Sequence, residues 1–145
     1  MLEKKRETRI MIFGTFDGLH QGHLNFFKQA KKLAKKPFLI VSVARDQNVK
    51  KIKGKFPNLK ERERMHLIKK IKFVDKVVLS GLKRYIPHII KEYPDIIALG
   101  YDQKAYVKNL KKDLKNKGLM VKVARLKPYK EKIYKNDLLK AKRLL

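Results

Sequence analysis

Ile10-Met11-Ile12-Phe13-Gly14-Thr15-Phe16-Asp17-Gly18-Leu19-His20-Gln21-Gly22-His23 opens on four consecutive apolar residues and ends where a helical pattern begins. Continuous rather than alternating apolarity suits a strand buried on both faces, the habit of a parallel sheet. The stretch runs into His23–Lys36, where Leu24, Phe27, Ala30 and Ala34 share one helical face. A buried strand feeding an amphipathic helix is the first half of a βαβ unit. The alternation recurs downstream. Phe38–Val43, Lys76–Leu79, Ile96–Gly100 and Met120–Ala124 read as further short strands. Lys60–Lys72, Tyr106–Lys117 and Leu138–Leu145 read as amphipathic helices, with Gly118 a predicted helix stop. Pro37, Pro57, Pro87, Pro94 and Pro128 all fall at segment edges. The pattern predicts one α/β domain over residues 1–145, a doubly wound parallel sheet of about five strands with flanking helices.

Composition narrows the class. A chain of 145 residues has room for one core, and 43% hydrophobic residues argue against disorder despite 36% charged ones. There is no Cys, so disulfide scaffolds, zinc–cysteine sites and thiol chemistry are excluded. No apolar run approaches the roughly 18–20 residues that a membrane span requires. Met1–Arg9 is polar and charged, without an apolar signal-peptide stretch behind it, so a cytoplasmic location away from membranes is expected. Lys and Arg number 39 against 13 Asp and Glu, a net charge of +26. Such a field attracts polyanions and predicts weak, nonspecific binding to them. Yet 31 of these cations are Lys, 8 are Arg, and they are spread along the whole chain. Specific phosphate recognition leans on Arg forks, so scattered lysines also read as an ordinary solvated surface.

Open parallel sheets bind ligands at the carboxyl ends of their strands, near the point where strand order reverses. The first such end carries Gly14, Gly18 and Gly22, which let backbone approach a ligand. The helix start that follows offers N–H groups and a partial positive charge, which together favour phosphate. His20 and His23, three apart, turn their rings the same way on the first helical turn. Two imidazoles there supply hydrogen bonds to a phosphate chain and to charge developing on it. His66 and His88 lack such a setting and read as incidental. After the second strand, Ala44–Val49 leads into a basic loop with Lys50, Lys51, Lys53 and Lys55. Those ammonium groups suit a clamp on an acceptor or leaving group, Lys55 foremost, or else a solvated charge run. At the fourth strand's end, Tyr101 offers a stacking face and Asp102 a carboxylate for ribose or base, or a cap for the next helix.

His20-x-Gly22-His23, preceded by Gly14-Thr15-Phe16-Asp17, resembles the signature of the cytidylyltransferase-like nucleotidyltransferase superfamily. The resemblance runs from about Arg9 to Ala124. It implies a Rossmann-like domain joining a nucleoside monophosphate from ATP or CTP to a phosphorylated acceptor, with release of pyrophosphate. It implies His20 and His23 as catalytic residues, and Gly14, Thr15, Phe16, Gln21, Gly22, Asp102 and Lys132 as nucleotide contacts. Asp17, Lys55, Arg64 and Tyr101 follow as acceptor or phosphate contacts. The family keeps an Arg where Arg64 stands in Glu63-Arg64-Met65, with an ion pair to a nearby Glu as the other reading. No metal site of the chain's own is expected, and Mg²⁺ accompanies the nucleotide phosphates. Gly100-Tyr101-Asp102-Gln103 and Val43-Ala44-Arg45-Asp46 look most like the archaeal-type FAD synthetase branch, which transfers AMP to FMN. Glycerol-3-phosphate cytidylyltransferases tend to carry a Trp-containing segment there, and this chain has no Trp. That branch, and a degenerate member that only binds nucleotide or nucleic acid, are the alternatives. Dimers are common among such relatives, so a homodimer is an allowed partner state. The family's Ser/Thr-rich motif near the end is replaced by Tyr129-Lys130-Glu131-Lys132-Ile133, which has no Ser or Thr.

Overall fold

The computed structural model describes residues 6–81, 85–103 and 109–129. Its elements alternate as the strand and helix patterns require: β1 (Thr8–Gly14), α1 (Gln21–Lys31), β2 (Pro37–Val43), α2 (Asp46–Lys53), α3 (Glu61–Lys69), β3 (Lys76–Leu79), α4 (Tyr85–Glu92), β4 (Ile96–Leu99), α5 (Leu110–Asn116) and β5 (Lys122–Arg125). The five strands form one sheet in the order β3-β2-β1-β4-β5. Every pairing is parallel, with Thr8 opposite Pro37 and Gly14 opposite Val43 along the central pair. Strand order reverses between β1 and β4, so their carboxyl ends open a crevice at Gly14 and Leu99.

Both faces of β1 are covered, which explains its unbroken apolar run. Ile10 and Ile12 pack with Phe27 and Ala30 of α1 and Ile68 of α3. Met11 and Phe13 point the other way, onto Ile89 of α4 and Leu110 and Leu114 of α5. Each fully buried Ile or Phe contributes about 1.5–3 kcal/mol relative to exposure, so these clusters hold the strand end that carries the site. Gly118 stops α5 as expected: at φ +88 it lets the N–H groups of Gly118 and Leu119 reach the carbonyls of Lys115 and Leu114.

The differences from the sequence reading have physical causes. The basic stretch after β2, expected as a loop, is the helix α2 up to Lys53, with Gly54 at φ +83 closing it. It buries only Val49, so it has no apolar stripe to reveal it. The first helix runs from Gln21 to Lys31, starting and stopping earlier than the expected His23–Lys36. His20 caps it, and Pro37 opens β2 and biases the residue before it away from helix. Helix α4 went unread. Its Pro87 lies in the first turn, where a missing N–H costs nothing. Lys132, the expected helix Leu138–Leu145 and the start of Tyr106–Lys117 lie outside the described residues. Among the described residues no helix is long and apolar enough to cross a membrane.

Candidate active site

Gly14 ends β1, and the chain then turns through Thr15-Phe16-Asp17-Gly18-Leu19 to His20. Phe16 takes a left-handed backbone, φ +54, which folds its ring back beneath Gly14. A Cβ on Gly14 would lie 2.5 Å from Phe16 Cζ, so only glycine admits that ring. Phe16 is buried and meets His23 and Phe27 edge-on, each at 5.3 Å between centroids. Its ring is the floor of the turn, against the His23 imidazole.

His20 is the N-cap of α1 and His23 stands three residues on. The two cap each other. His23 N–H donates to His20 Nδ1 and His20 N–H donates to His23 Nδ1, both at 3.3 Å. The rings stack at 3.6 Å and 19°. An Nδ1 that accepts a backbone N–H carries no proton, so each neutral ring holds its proton on Nε2. Burial, then the charge of His20, pushes the His23 pKa down to about 4. The ring is therefore a neutral donor at physiological pH. Because His20 groups satisfy the N–H of His23 and Leu24, the first-turn donors left for a ligand are those of Gln21 and Gly22. The first turn carries no acidic residue, so the positive end of the helix is unopposed.

The turn is held from below. Asp17 accepts the N–H groups of Asn58 and Leu59 at 2.7 and 2.8 Å, tying it to the approach to α3. Arg64 has no exposed surface. Its guanidinium donates to the carbonyls of Thr15 and Leu59 at 2.8 and 3.0 Å and pairs with Asp46 Oδ1 at 2.6 Å. The ion pair is thus with Asp46, at the start of α2, rather than with a Glu. Lys50, Lys51 and Lys53 stand exposed on α2 and Lys55 just beyond it, while Lys50 lies 4.7 Å over the Phe56 ring. A cavity of about 560 Å³, lined by Arg45, Asp46, Phe56 and Lys60, opens beside them.

Across the crevice, Gly100–Gln103 forms a turn closed by Gln103 N–H on the Gly100 carbonyl. The Gln103 side chain accepts Gly100 N–H and donates to the Phe13 carbonyl, both at 2.8 Å, which pins the β4 end to the β1 end. Tyr101 and Asp102 sit exposed at the tip of that turn, and α5 takes Asn109 as its N-cap. Asp46 and Gln103 are two functional residues to which the sequence reading gives no role. Their position just past a strand's carboxyl end was the available signal. His66 is exposed on α3. His88, with its pKa lowered by burial, bonds Ser42 Oγ at 2.8 Å, and Ser42 also meets Ser80, which satisfies a fully buried hydroxyl. Among the described residues no group of three His, Cys, Asp or Glu is placed to hold a metal ion.

A sequence model of the family described as cytidylyltransferase-like matches residues 11–138. The FAD synthase of Korarchaeum cryptofilum is 46% identical over 127 residues, covering 87% of this chain and 84% of that protein. The FAD synthase of Thermococcus sibiricus is 40% identical over 145 residues, covering 99% and 94%. Among solved structures, the lipopolysaccharide core biosynthesis protein from Thermoplasma volcanium superposes with a TM-score of 0.77 at 38% identity, covering 84% of this chain and 98% of that one.

Proposed function

The chain belongs to the cytidylyltransferase-like family, and from that premise we propose that it is an FMN adenylyltransferase, forming FAD and pyrophosphate from ATP and FMN. An oxygen of the FMN phosphate attacks the α-phosphorus of ATP, the bond from that phosphorus to the β-phosphate oxygen breaks, and pyrophosphate leaves. The acceptor brings its own nucleophile, so the protein's task is positioning and electrostatics. The observation that carries the reading is the reciprocal cap between His20 and His23. It fixes two Nε2–H donors side by side at the positive end of α1, where negative charge develops on the transferring and leaving phosphates. Main-chain N–H groups of Gln21 and Gly22 bind the phosphates beside them, and Gly14 with the Thr15–Phe16 peptide lines the approach. Asp102 and Tyr101, across the crevice, take ribose and base. Lys55, with the cations of α2, meets the acceptor phosphate. The resemblance alone assigns a triphosphate contact to Lys132, which lies outside the described residues.

Mg²⁺ enters with the triphosphate and neutralises its charge when bound. Relatives named FAD synthase across most of the chain support AMP and FMN over CMP and glycerol 3-phosphate. The test is product identity. Incubation with ATP, FMN and Mg²⁺ is expected to give FAD by mass and equimolar pyrophosphate. CDP-glycerol from CTP and glycerol 3-phosphate, or no product from folded protein, overturns the assignment.

A further inference from the structure

Arg64 poses an energetic question. A guanidinium with no exposed surface is costly to bury, and an apolar side chain of similar volume often serves stability as well or better. What the apolar side chain cannot do is hold carbonyl groups. Arg64 holds two, those of Thr15 and Leu59, and its third arm reaches Asp46. Each partner belongs to a different segment of the chain. Thr15 lies in the turn after β1. Leu59 leads into α3, and its N–H returns to that same turn through Asp17. Asp46 opens α2 and is itself fixed by exchange with Glu61, each accepting the other's N–H. One buried side chain therefore sets the spacing between the histidine turn and the cationic helix.

The contact with Thr15 has a directional consequence. In a trans peptide the C=O and the following N–H point opposite ways, and the chain has no cis peptide among the described residues. Drawing the Thr15 carbonyl down onto Arg64 turns the Phe16 N–H up, away from the guanidinium. Phe16 sits at φ +54, a conformation that a non-glycine residue holds only when its surroundings impose it. We propose that Arg64 is a positioning residue of this enzyme: it orients the Thr15–Phe16 peptide so that the Phe16 N–H faces the transferring phosphates, and it touches no substrate itself. The proposal rests on the nucleotidyl-transfer reading above and adds a residue that acts through the main chain.

The test compares Arg64→Met, which keeps the volume, and Arg64→Lys, which keeps the charge but loses the fork, with wild type. We measure kcat, KM for ATP, ATP affinity by calorimetry, and, with ATP bound at saturation, hydrogen exchange at the Phe16 amide. Both variants are expected to lose on the order of 10²-fold in kcat, the scale of a small misplacement of reacting groups. Their ATP affinity should change less than about threefold, since no direct contact is lost, and the Phe16 amide should exchange faster. Lys should not rescue Met. Unchanged kcat in either folded variant overturns the proposal, as does an affinity loss that accounts for the whole kcat/KM loss, the mark of a direct contact. If Arg64→Met does not fold, Arg64→Lys and Asp46→Asn decide by the same readouts. Wild-type protein that makes no FAD defeats the function reading. The Phe16 exchange in Arg64→Lys then still decides the positioning claim: faster exchange supports it and unchanged exchange sinks it.

Discussion

At His23, burial and the neighbouring His20 ring hold the imidazole pKa near 4, against an ordinary 6.5. The sign of the effect on stability follows. Between pH 6.5 and about 4 the unfolded chain takes up a proton here that the native ring refuses, so unfolding gains as pH falls. The contribution is whole above pH 6.5, declines toward pH 4, and amounts to at most about 3 kcal/mol. His88, also lowered by burial, adds in the same direction. At Asp95, burial opposes ionisation, but Arg6 and Arg9 outweigh it and hold the carboxylate low, so its loss comes below its ordinary 3.8. His23→Asn separates these groups, because Asn retains an acceptor for the His20 N–H but has no imidazole to titrate. We expect its melting temperature to vary less between pH 6.5 and 4 than that of wild type. Its kcat should drop on the order of 10²–10³, the scale of a lost transition-state donor. An unaltered pH slope would show that His23 is not the titrating group, and full turnover would remove it from the chemistry.

The turn from β1 to α1 behaves as one packed unit, which makes its glycine a sharp probe. In Gly14→Ala the new methyl meets three atoms of the Phe16 ring at 2.5–2.9 Å, and that ring supports His23 edge-on. Overpacking of this kind costs about 1–3 kcal/mol, and here the displaced ring also moves an imidazole. In a Phe16→Leu background the same methyl finds more room, so the two substitutions should be clearly non-additive in melting temperature. Additive effects would mean that the ring does not pack against the glycine. Elements such as this one were legible because local chemistry announces them: an apolar run, glycines and two histidines sit within fourteen residues of Ile10–His23. The doubly wound parallel class and the site's first wall followed from that. Helix α2 was not legible, since eight residues with a single buried side chain look like any charged loop. Nor was the Arg64 bracket. Its partners lie 49, 5 and 18 residues away, and two of them are carbonyls, which every residue possesses. The sequence marked Arg64 as a residue to watch, but only the packing of three segments shows what its guanidinium holds.

For the molecule as a whole, the +26 charge has a distribution that predicts its own behaviour. Of the 8 arginines, 5 bond to other groups of the chain among the described residues: Arg6 with Asp95, Arg9 with the Glu92 carbonyl, Arg45 with the Ser80 carbonyl, Arg64 in its bracket, and Arg125 with the Gly100 carbonyl. Rigid forks suited to reading phosphate or base edges are thus spent on structure, and much of the outward field comes from mobile, strongly hydrated ammonium groups. A field of that kind concentrates anions near the surface without choosing among them. Binding to RNA or DNA is therefore expected at low salt, driven by counterion release, with log K falling linearly in log salt. It should be lost by about 0.2 M salt and be the same for scrambled sequences. FAD formation should lose only the part of its kcat/KM that comes from electrostatic steering of FMN and ATP, because in the proposed function the paired imidazoles and first-turn amides act at contact distance. The two curves, nucleic-acid affinity and kcat/KM against salt, should separate steeply. Sequence-selective nucleic-acid binding that survives 0.2 M salt would make the lysine surface a recognition site rather than a diffuse anion attractor.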